Sequence, residues 1–202
     1  MKATTAVDRR EVHIVGGGTL SHVRSHLSLA APAYGTTARR LAELCQSFWT
    51  SVDVNVHLTK MADPSSNIVT NNDLRELARQ LVLSYNTKIV IWNPAIVDFD
   101  GQIGDVTPGK YSKRLSTNND EDPRLLRLTP SDKLVGMFRR DSVDGRQPRK
   151  DIFLVAFKTT AGASEDEMYA AGLKLCKEAS ANLVLVNDVV NRLNMVVRPA
   201  TT

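Results

Sequence analysis

The stretch Glu11-Val-His-Ile-Val-Gly-Gly-Gly-Thr19 determines how the rest of the chain can be interpreted. Its first five residues, 11–15, are typical of a short buried strand, and the three glycines after them favour a tight turn. The main-chain N–H groups of such a turn can bind phosphate oxygens. The same glycines also suit an ordinary turn, because the run matches neither the GxGxxG fingerprint nor a Walker A loop.

Strand-like and helix-like segments alternate along the rest of the chain. Residues 36–50 carry the apolar stripe of an amphipathic helix, and a second helix is expected to begin at Asn72 or Asp73. A third helix follows the capping box formed by Ser164 and Glu167. Further strands are predicted at 52–58, 88–92, 125–128, 151–157, 183–186 and 194–198, with another helix near 131–140. This order indicates an α/β, Rossmann-like three-layer fold with a mostly parallel sheet, in one domain spanning residues 1–202.

Composition excludes several classes of protein. The 202 residues include 26 Lys and Arg against 22 Asp and Glu, so the positive excess is small. The basic stretch 139–150 is interrupted by Asp141 and Asp144 and contains no aromatic residues, so we expect no nucleic-acid partner. No apolar run is long enough to span a membrane, and the polar first ten residues favour a cytoplasmic protein. The cysteines and histidines lack zinc-site spacing, so no metal ligands are predicted.

Polar residues follow several of the predicted strands. Asn93-Pro94 ends the strand at 88–92, and Asn187-Asp188 ends the one at 183–186. In an open α/β sheet, ligands bind beyond the carboxyl ends of the strands. Asp98 has apolar neighbours on both sides, so we expect it to be buried and to need a partner or a ligand. The irregular segment 93–123 is typical of a functional loop.

Six short motifs resemble, in the right order, those of phosphopantothenoylcysteine synthetase, also called phosphopantothenate–cysteine ligase. Pro94-Ala-Ile-Val-Asp-Phe99, followed by Gly109-Lys110, is similar to the family's Ala-Ala-Val-x-Asp-[Tyr/Phe] … Lys-Ile motif. The other matches are Gly17-Gly18-Thr19 with Val23-Arg24, Leu128 to Leu134, Phe157, Lys174-Leu175 with Lys177, and Val186 to Val189. Together the matches extend from about Val12 to Val190.

The resemblance implies a ligase of coenzyme A biosynthesis, usually a homodimer. Its substrates would be CTP or ATP, accompanied by Mg²⁺, together with 4′-phosphopantothenate and cysteine, which are joined through an acyl-nucleotidyl intermediate. By position, Lys110 and Ser28 would be catalytic. The nucleotide-binding positions would be Gly16, Gly17, Gly18, Thr19, Ala95, Asp98, Phe99, Lys110, Pro130, Asp132, Phe157, Lys174, Lys177 and Asn187.

Four positions depart from the family pattern: Ser28, Ala33, His22, where the family has the Asp before Val-Arg, and Thr160, where it has the Glu of Phe-x-x-Glu-Thr. The Asn that handles the acyl intermediate is Ser28 in this chain, and the lysine in the same loop is Ala33. A hydroxyl cannot present both the donor and the acceptor geometry of an amide. Three interpretations therefore stay open: a working ligase, a nucleotide-binding descendant that has lost catalysis, and a generic Rossmann-like domain whose motif matches are accidental.

Overall fold

The computed structural model describes residues 10–116 and 123–199. The described strands are β1 (Glu11–Gly18), β2 (Leu20–Arg24), β3 (Leu27–Ala30), β4 (Asp53–Leu58), β5 (Thr87–Ala95), β6 (Phe99–Ile103), β7 (Leu126–Pro130), β8 (Phe153–Thr160), β9 (Leu183–Asp188) and β10 (Leu193–Val197). The described helices are α1 (Thr36–Phe48), α2 (Asn71–Leu83) and α3 (Glu165–Ala179), with a 3₁₀ helix at Leu134–Phe138.

Six strands form the main sheet, in the order β4-β1-β5-β8-β9-β10. Neighbouring strands are parallel except for β10, which pairs antiparallel with β9 at one edge. The strand order reverses between β1 and β5, because the chain goes from β1 to β4 on one side and then returns to β5 on the other. Ligands of such folds bind at this reversal, beyond the carboxyl ends of the strands.

Alternating side chains divide the core between the two faces of the sheet. Val15, Val90 and Leu154 pack on one face with α2, α3 and the 3₁₀ helix. Val12 and Ile14 pack on the other face with α1. Helices on both faces of a mostly parallel sheet make three layers, so the predicted α/β, Rossmann-like fold is confirmed.

Strands β1 and β5 both extend further than the sequence pattern indicated. The glycines at 16–18 are the last residues of β1 and pair with residues 93–95 of β5, so the predicted tight turn is wrong. Pro94 is tolerated within β5 because β8 pairs with β5 only as far as Trp92. Beyond Trp92 one side of β5 has no ladder bond for the proline to break.

Helix starts also differ from the prediction in two places. Thr70 caps α2, rather than Asn72 or Asp73: its hydroxyl accepts a hydrogen bond from the Asp73 N–H, and the Asp73 carboxylate accepts one from the Thr70 N–H. This capping box starts the helix two or three residues earlier than a cap at Asn72 or Asp73 would. The helix expected at 131–140 is the short 3₁₀ helix.

A small lobe formed by β2, β3, β6 and β7 follows the carboxyl ends of β1 and β5. Strands β2 and β3 pair with each other, as do β6 and β7. The two pairs pack closely, since a Cβ at Gly101 of β6 would lie 2.9 Å from the Val23 side chain of β2. Segment 93–123, predicted to be irregular, therefore contains a strand, β6, whose partner β7 covers most of the strand predicted at 125–128.

We predict that Gly18→Ala lowers the free energy of unfolding by about 2–3 kcal/mol, because overpacking costs this much in tight interiors. The new Cβ would lie 2.0 Å from the main-chain oxygen of Ala31 and 2.7 Å from the main-chain nitrogen of Ala33. Urea denaturation followed by circular dichroism measures the change. Gly109→Ala is the matched control, because its Cβ would meet only the Ser112 hydroxyl, at 3.4 Å. Equal midpoints for the two variants would contradict the prediction.

Candidate functional site

Thr19 links the carboxyl ends of β1 and β5 to the start of α2. Its hydroxyl donates to Asn71 Oδ1 at 2.7 Å and accepts from the Val97 N–H at 3.0 Å. Its own N–H donates to the Ala95 carbonyl at 3.0 Å. The glycine segment and Asp98, which follows Val97, therefore lie at the same edge of the sheet, as the sequence predicted.

The glycines at 16–18 are buried, and their polar groups are used within the fold. The Gly18 N–H donates to the Ala33 carbonyl at 2.8 Å, and the Gly16 carbonyl accepts from the Thr59 N–H at 3.0 Å. The predicted phosphate cradle is therefore not formed by the N–H groups of Gly18 and Thr19. These glycines instead allow α1 to pack closely against β1, because a Cβ added at Gly16 would lie only 2.4 Å from the Cβ of Ala38 in α1.

Asp98 is exposed, contrary to the prediction that it is buried. Its side chain is 61% exposed and forms an ion pair with Lys133. Its carbonyl accepts a hydrogen bond from the Ser131 N–H at 2.8 Å. Only one of its apolar neighbours, Val97, enters the core, while Phe99 is largely exposed, so apolar flanks did not indicate burial here. Lys133, which the sequence analysis missed, supplies the positive partner.

A cavity of about 480 Å³, called here the smaller cavity, lies between the lobe and the start of α2. Pro130 and Asp132, two of the predicted nucleotide-binding residues, both line it. Asp132 forms an ion pair with Arg75 of α2, with Nη2 and Oδ2 2.9 Å apart. The Asp100 carboxylate, also on the wall, accepts hydrogen bonds from the hydroxyls of Ser21 at 2.7 Å and Ser131 at 3.2 Å. Phe99 lies beside this wall, because it pairs with Pro130.

The N-terminus of α2 contributes Thr70, Asn71 and Asn72 to the wall of the smaller cavity. The first N–H groups of a helix have no partner within the helix and carry a partial positive charge. Burial raises the pKa of Asp73 in this turn, but hydrogen bonds from the N–H groups of Thr70 and Val69 outweigh burial and hold it below its usual value. Asp73 is therefore a stable anion next to the cavity.

A second cavity of about 730 Å³, the larger cavity, lies on the other side of the loop at 104–116. Among the described residues, its wall carries four basic side chains, Arg24, Lys113, Arg114 and Arg124, and one carboxylate, Asp105. Arg24 is buried, and its guanidinium donates to the main-chain carbonyls of Val23 at 2.9 Å, Val106 at 3.2 Å and Ile103. A cavity with this charge suits an anionic ligand.

Lys110 lies on the loop between the two cavities. The loop residues before it, Pro108 and Gly109, line the smaller cavity, and residues 113–116 line the larger one. The loop is tied to the β2–β3 turn, because the Ser112 carbonyl accepts from the Ser25 N–H at 3.2 Å. The Lys110 ammonium is exposed and lies 5.6 Å from the centre of the Tyr111 ring. The main chain of Lys110 therefore lies between residues that line each cavity.

Ser28 lies on β3, directly opposite His22 on β2. The Ser28 hydroxyl and His22 Nδ1 are hydrogen-bonded at 2.9 Å, and His22 lines the smaller cavity. Ala33 lies further along the chain, where its N–H contacts the Met61 sulfur at 3.4 Å. Ser28 and Ala33, two of the four positions that depart from the family pattern, are thus both in the connection between β2 and α1.

Three predicted nucleotide-binding residues lie away from both cavities. Phe157 is half-buried and packs on the α1 face of the sheet. Lys174 and Lys177 are exposed on α3, which starts beyond the carboxyl end of β8 and runs back toward the opposite edge. At 1.5 Å per residue, Lys174 is about 14 Å along this helix. The structure does not bring these three side chains together with Lys110.

Asn187 and Asp188 end β9 at the carboxyl edge. The Asn187 side-chain oxygen accepts from the Thr159 hydroxyl at 3.1 Å. Asp188 is buried and accepts hydrogen bonds from the Thr160 hydroxyl and from the main-chain N–H groups of Gly162, Ala163, Val190 and Asn191, at 2.8–3.1 Å. These bonds, the Asn191 N–H above all, hold the pKa of Asp188 well below its usual range. Asp188 joins the loops after β8 and β9, a role that the sequence motif did not reveal.

Within 10–116 and 123–199, no three His, Cys, Asp or Glu side chains are grouped so that they could hold a metal ion. None of the helices described is both long and apolar enough to cross a membrane.

Comparison with known proteins shows which solved structures share the fold of this chain. The structure is similar to the DNA/pantothenate metabolism flavoprotein from Streptococcus pneumoniae, with a TM-score of 0.68, 16% identity, and 94% of this chain covering 92% of that one. It is similar to the C-terminal domain of the coenzyme A biosynthesis bifunctional protein CoaBC (TM-score 0.60, 14% identity, 94% and 81% covered). It is also similar to a Cab2 mutant in complex with phosphopantothenate-cysteine (TM-score 0.64, 13% identity, 94% and 77% covered). Neither a protein-family model nor a curated protein sequence matches the chain. The resemblance found in the motifs is therefore confirmed at the level of the fold.

We predict that Asp188→Asn lowers the urea midpoint at pH 7, because the amide turns an NH₂ donor toward N–H groups that need an acceptor. The folded-state pKa of Asp188 is depressed. Its contribution is therefore present above pH of about 4, the ordinary pKa of Asp, and is lost as the pH falls below it. The variant should consequently show a weaker loss of stability on acidification. Exposed Asp105→Asn is the control, and a pH dependence of Asp188→Asn parallel to that of the wild type would contradict the prediction.

Proposed function

We propose that this chain is a phosphopantothenate–cysteine ligase of coenzyme A biosynthesis. It binds a nucleoside triphosphate, CTP first and ATP second, and activates the carboxylate of 4′-phosphopantothenate as an acyl-nucleotidyl intermediate. The amine of cysteine then displaces the nucleotide. The observation that carries the proposal is a juxtaposition: the motif segments 17–24, 94–99, 109–110 and 128–134 all meet around the two cavities at the carboxyl edge.

The fold supports the same function. Three solved structures with this fold are a DNA/pantothenate metabolism flavoprotein, the C-terminal domain of a coenzyme A biosynthesis bifunctional protein and a Cab2 mutant in complex with phosphopantothenate-cysteine. The order of the motifs along this chain provides an independent line of support, because three of the six motifs fall on segments that border a cavity: 17–24, 94–99 with 109–110, and 128–134. Because the fold and the order of the motifs agree, they argue against the interpretation that this is a generic Rossmann-like domain with accidental motif matches.

The charges of the two cavities suit the proposed substrates. The larger cavity, with Arg24, Lys113 and Arg114 on its wall, matches a phosphorylated carboxylic acid. Lys110, between the cavities, is placed to meet the phosphates of the triphosphate. Charge that develops on a pyrophosphate leaving group is stabilised by cations held in place before the reaction. We assign Lys110 this role.

The start of α1 supplies a further place for phosphates. Gly35 caps this helix with a left-handed backbone (φ 73°) and no side-chain hydrogen bond, and no acidic residue lies in the first turn. The free N–H groups and the positive end of the helix dipole favour an anion there. Close packing of Ala38 against Gly16 sets this turn beside the end of β1. Sequence periodicity predicted this helix, but it did not indicate that its first turn lacks a side-chain cap.

Magnesium would enter with the triphosphate in this proposal. Mg²⁺ takes oxygen ligands, usually from phosphates with one or two carboxylates. Asp100 and Asp132 line the smaller cavity and are the carboxylates that fit such a set. A homodimer and a cytoplasmic location remain expectations that rest on the sequence.

One observation favours a second candidate, a nucleotide-binding protein without ligase activity. The Ser28 hydroxyl is already hydrogen-bonded to His22, and the guanidinium of Arg24 is bonded to main-chain carbonyls. Ser28 is therefore not free to meet the substrate as the resemblance implies, and the Arg24 guanidinium is used within the fold. This candidate predicts triphosphate binding without release of pyrophosphate when phosphopantothenate is added, whereas the ligase releases it.

We predict that Lys110→Ala weakens binding of the preferred triphosphate ten- to a hundred-fold, since a charge-assisted contact contributes about 1.5–3 kcal/mol. Isothermal titration calorimetry with CTP and ATP, each with Mg²⁺, measures the change. Lys150→Ala is the control, because Lys150 is an exposed lysine that precedes β8 at the opposite edge of the sheet. Equal affinities for wild type and Lys110→Ala would reject the assigned role of Lys110.

A further inference from the structure

His22 and Ser28 form a hydrogen-bonded pair across the β2–β3 hairpin. His22 Nδ1 and the Ser28 hydroxyl oxygen are 2.9 Å apart, and both side chains are half-buried. His22 lines the smaller cavity, whereas Ser28 lies behind it and is not part of the wall. One ring nitrogen is therefore used to hold the imidazole, and the other, Nε2, has no hydrogen-bond partner among the described residues. Nε2 is left to meet a molecule in the cavity.

Negative charge surrounds this imidazole. Asp73 of α2 interacts electrostatically with His22. The other charged side chains on the cavity wall are Asp100 of β6, Asp132, and Arg75, which is paired with Asp132. A ring that takes up a proton here would face carboxylates from two elements, α2 and β6. Wall residues of this kind suit a histidine that changes its charge during a reaction.

We propose that His22 is the base that accepts a proton from the amine nucleophile during ligation, and that Ser28 is a positioning residue for it. This inference rests on the proposed function and deepens it, since it places the amine of the amino-acid substrate at His22, on the same cavity wall as the carboxylates proposed for the magnesium of the triphosphate. The nucleophile is the neutral amino group of that substrate. His22 touches it through Nε2, and Ser28 acts only through the ring.

The proposed step is the transfer of the acyl group from the nucleotide to the amine. The nitrogen lone pair attacks the acyl carbon of the acyl-nucleotidyl intermediate, a C–N bond forms, and the bond from that carbon to the phosphate oxygen breaks. The nucleoside monophosphate leaves with the electron pair of that bond. The surplus proton of the nitrogen passes to Nε2 of His22, which gives the neutral amide and an imidazolium. Solvent takes the proton from His22 before the next turnover.

Ser28 sets which nitrogen is basic. When its hydroxyl oxygen accepts a hydrogen bond from the Nδ1–H, the neutral ring has its lone pair on Nε2, the side of the cavity. Without the hydroxyl, the ring is free to rotate and to change tautomer. The serine at this position, a departure from the family pattern, thus gains a role of its own.

The proposal is tested by measuring two steps separately: the release of pyrophosphate, which accompanies formation of the acyl-nucleotidyl intermediate, and the formation of the amide. His22→Gln should release pyrophosphate from triphosphate and phosphopantothenate at nearly the wild-type rate, because no amine takes part in that half. Amide formation with cysteine should fall about 10²-fold or more, the usual contribution of a general base. A general base also predicts that amide formation by the wild type declines toward low pH, and we expect this decline to be absent in His22→Gln. His26→Gln, an exposed histidine in the same hairpin, is the control and should leave both rates unchanged.

Two serine variants test the positioning role. Ser28→Ala should slow amide formation with little change in pyrophosphate release, and Ser28→Thr, which keeps a hydroxyl, should restore most of the rate. Added imidazole should partly rescue His22→Gln. Wild-type amide formation in His22→Gln, or an equal loss of both halves, would overturn the inference while leaving the ligase function in place. A wild-type chain that binds no triphosphate would overturn both.

Discussion

The carboxyl end of β1 can be built only from residues without side chains. At each of 16–18 a Cβ would come within 2.5 Å of a neighbouring atom, in α1, in Thr59 or in the main chain of Ala31. Because the segment is glycine, β1 continues beside β5 to their shared end, and Thr19 can enter the core and bond to Asn71 and Val97. The start of α2, the lobe and both cavities are positioned by these contacts.

Elements with a local signal could be predicted from the sequence. Alternation predicted β4, and the capping box of Ser164 and Glu167 predicted the start of α3. The end of β1 could not be predicted, because three consecutive glycines favour a turn locally. They form a strand only when β5 lies beside them. The prediction that Asp98 is buried was wrong for a related reason. Whether its neighbours Val97 and Phe99 face the core depends on how the lobe packs, and not on their apolar character.

The site was predicted in part. The order of motifs correctly placed Pro130, Asp132 and the loop of Lys110 near one another, because each follows an element that ends at the same edge. Lys174 was expected there too, but the direction of α3 carries it toward the opposite edge. Lys133 lies within the segment 128–134 and Arg75 belongs to no motif, but the carboxylate that each of them pairs with could be found only from the fold. Pairs such as His22 and Ser28 likewise depend on hairpin register, which the sequence did not specify.

The most direct measurement is to incubate the purified chain with phosphopantothenate, cysteine and Mg²⁺, with either CTP or ATP, and to identify the products by mass spectrometry. If the two cavities are one ligase site, we expect phosphopantothenoylcysteine together with equal amounts of nucleoside monophosphate and pyrophosphate. Formation of the amide should require the triphosphate. Triphosphate binding with no amide from either nucleotide would contradict ligation and would favour the non-catalytic nucleotide-binding protein.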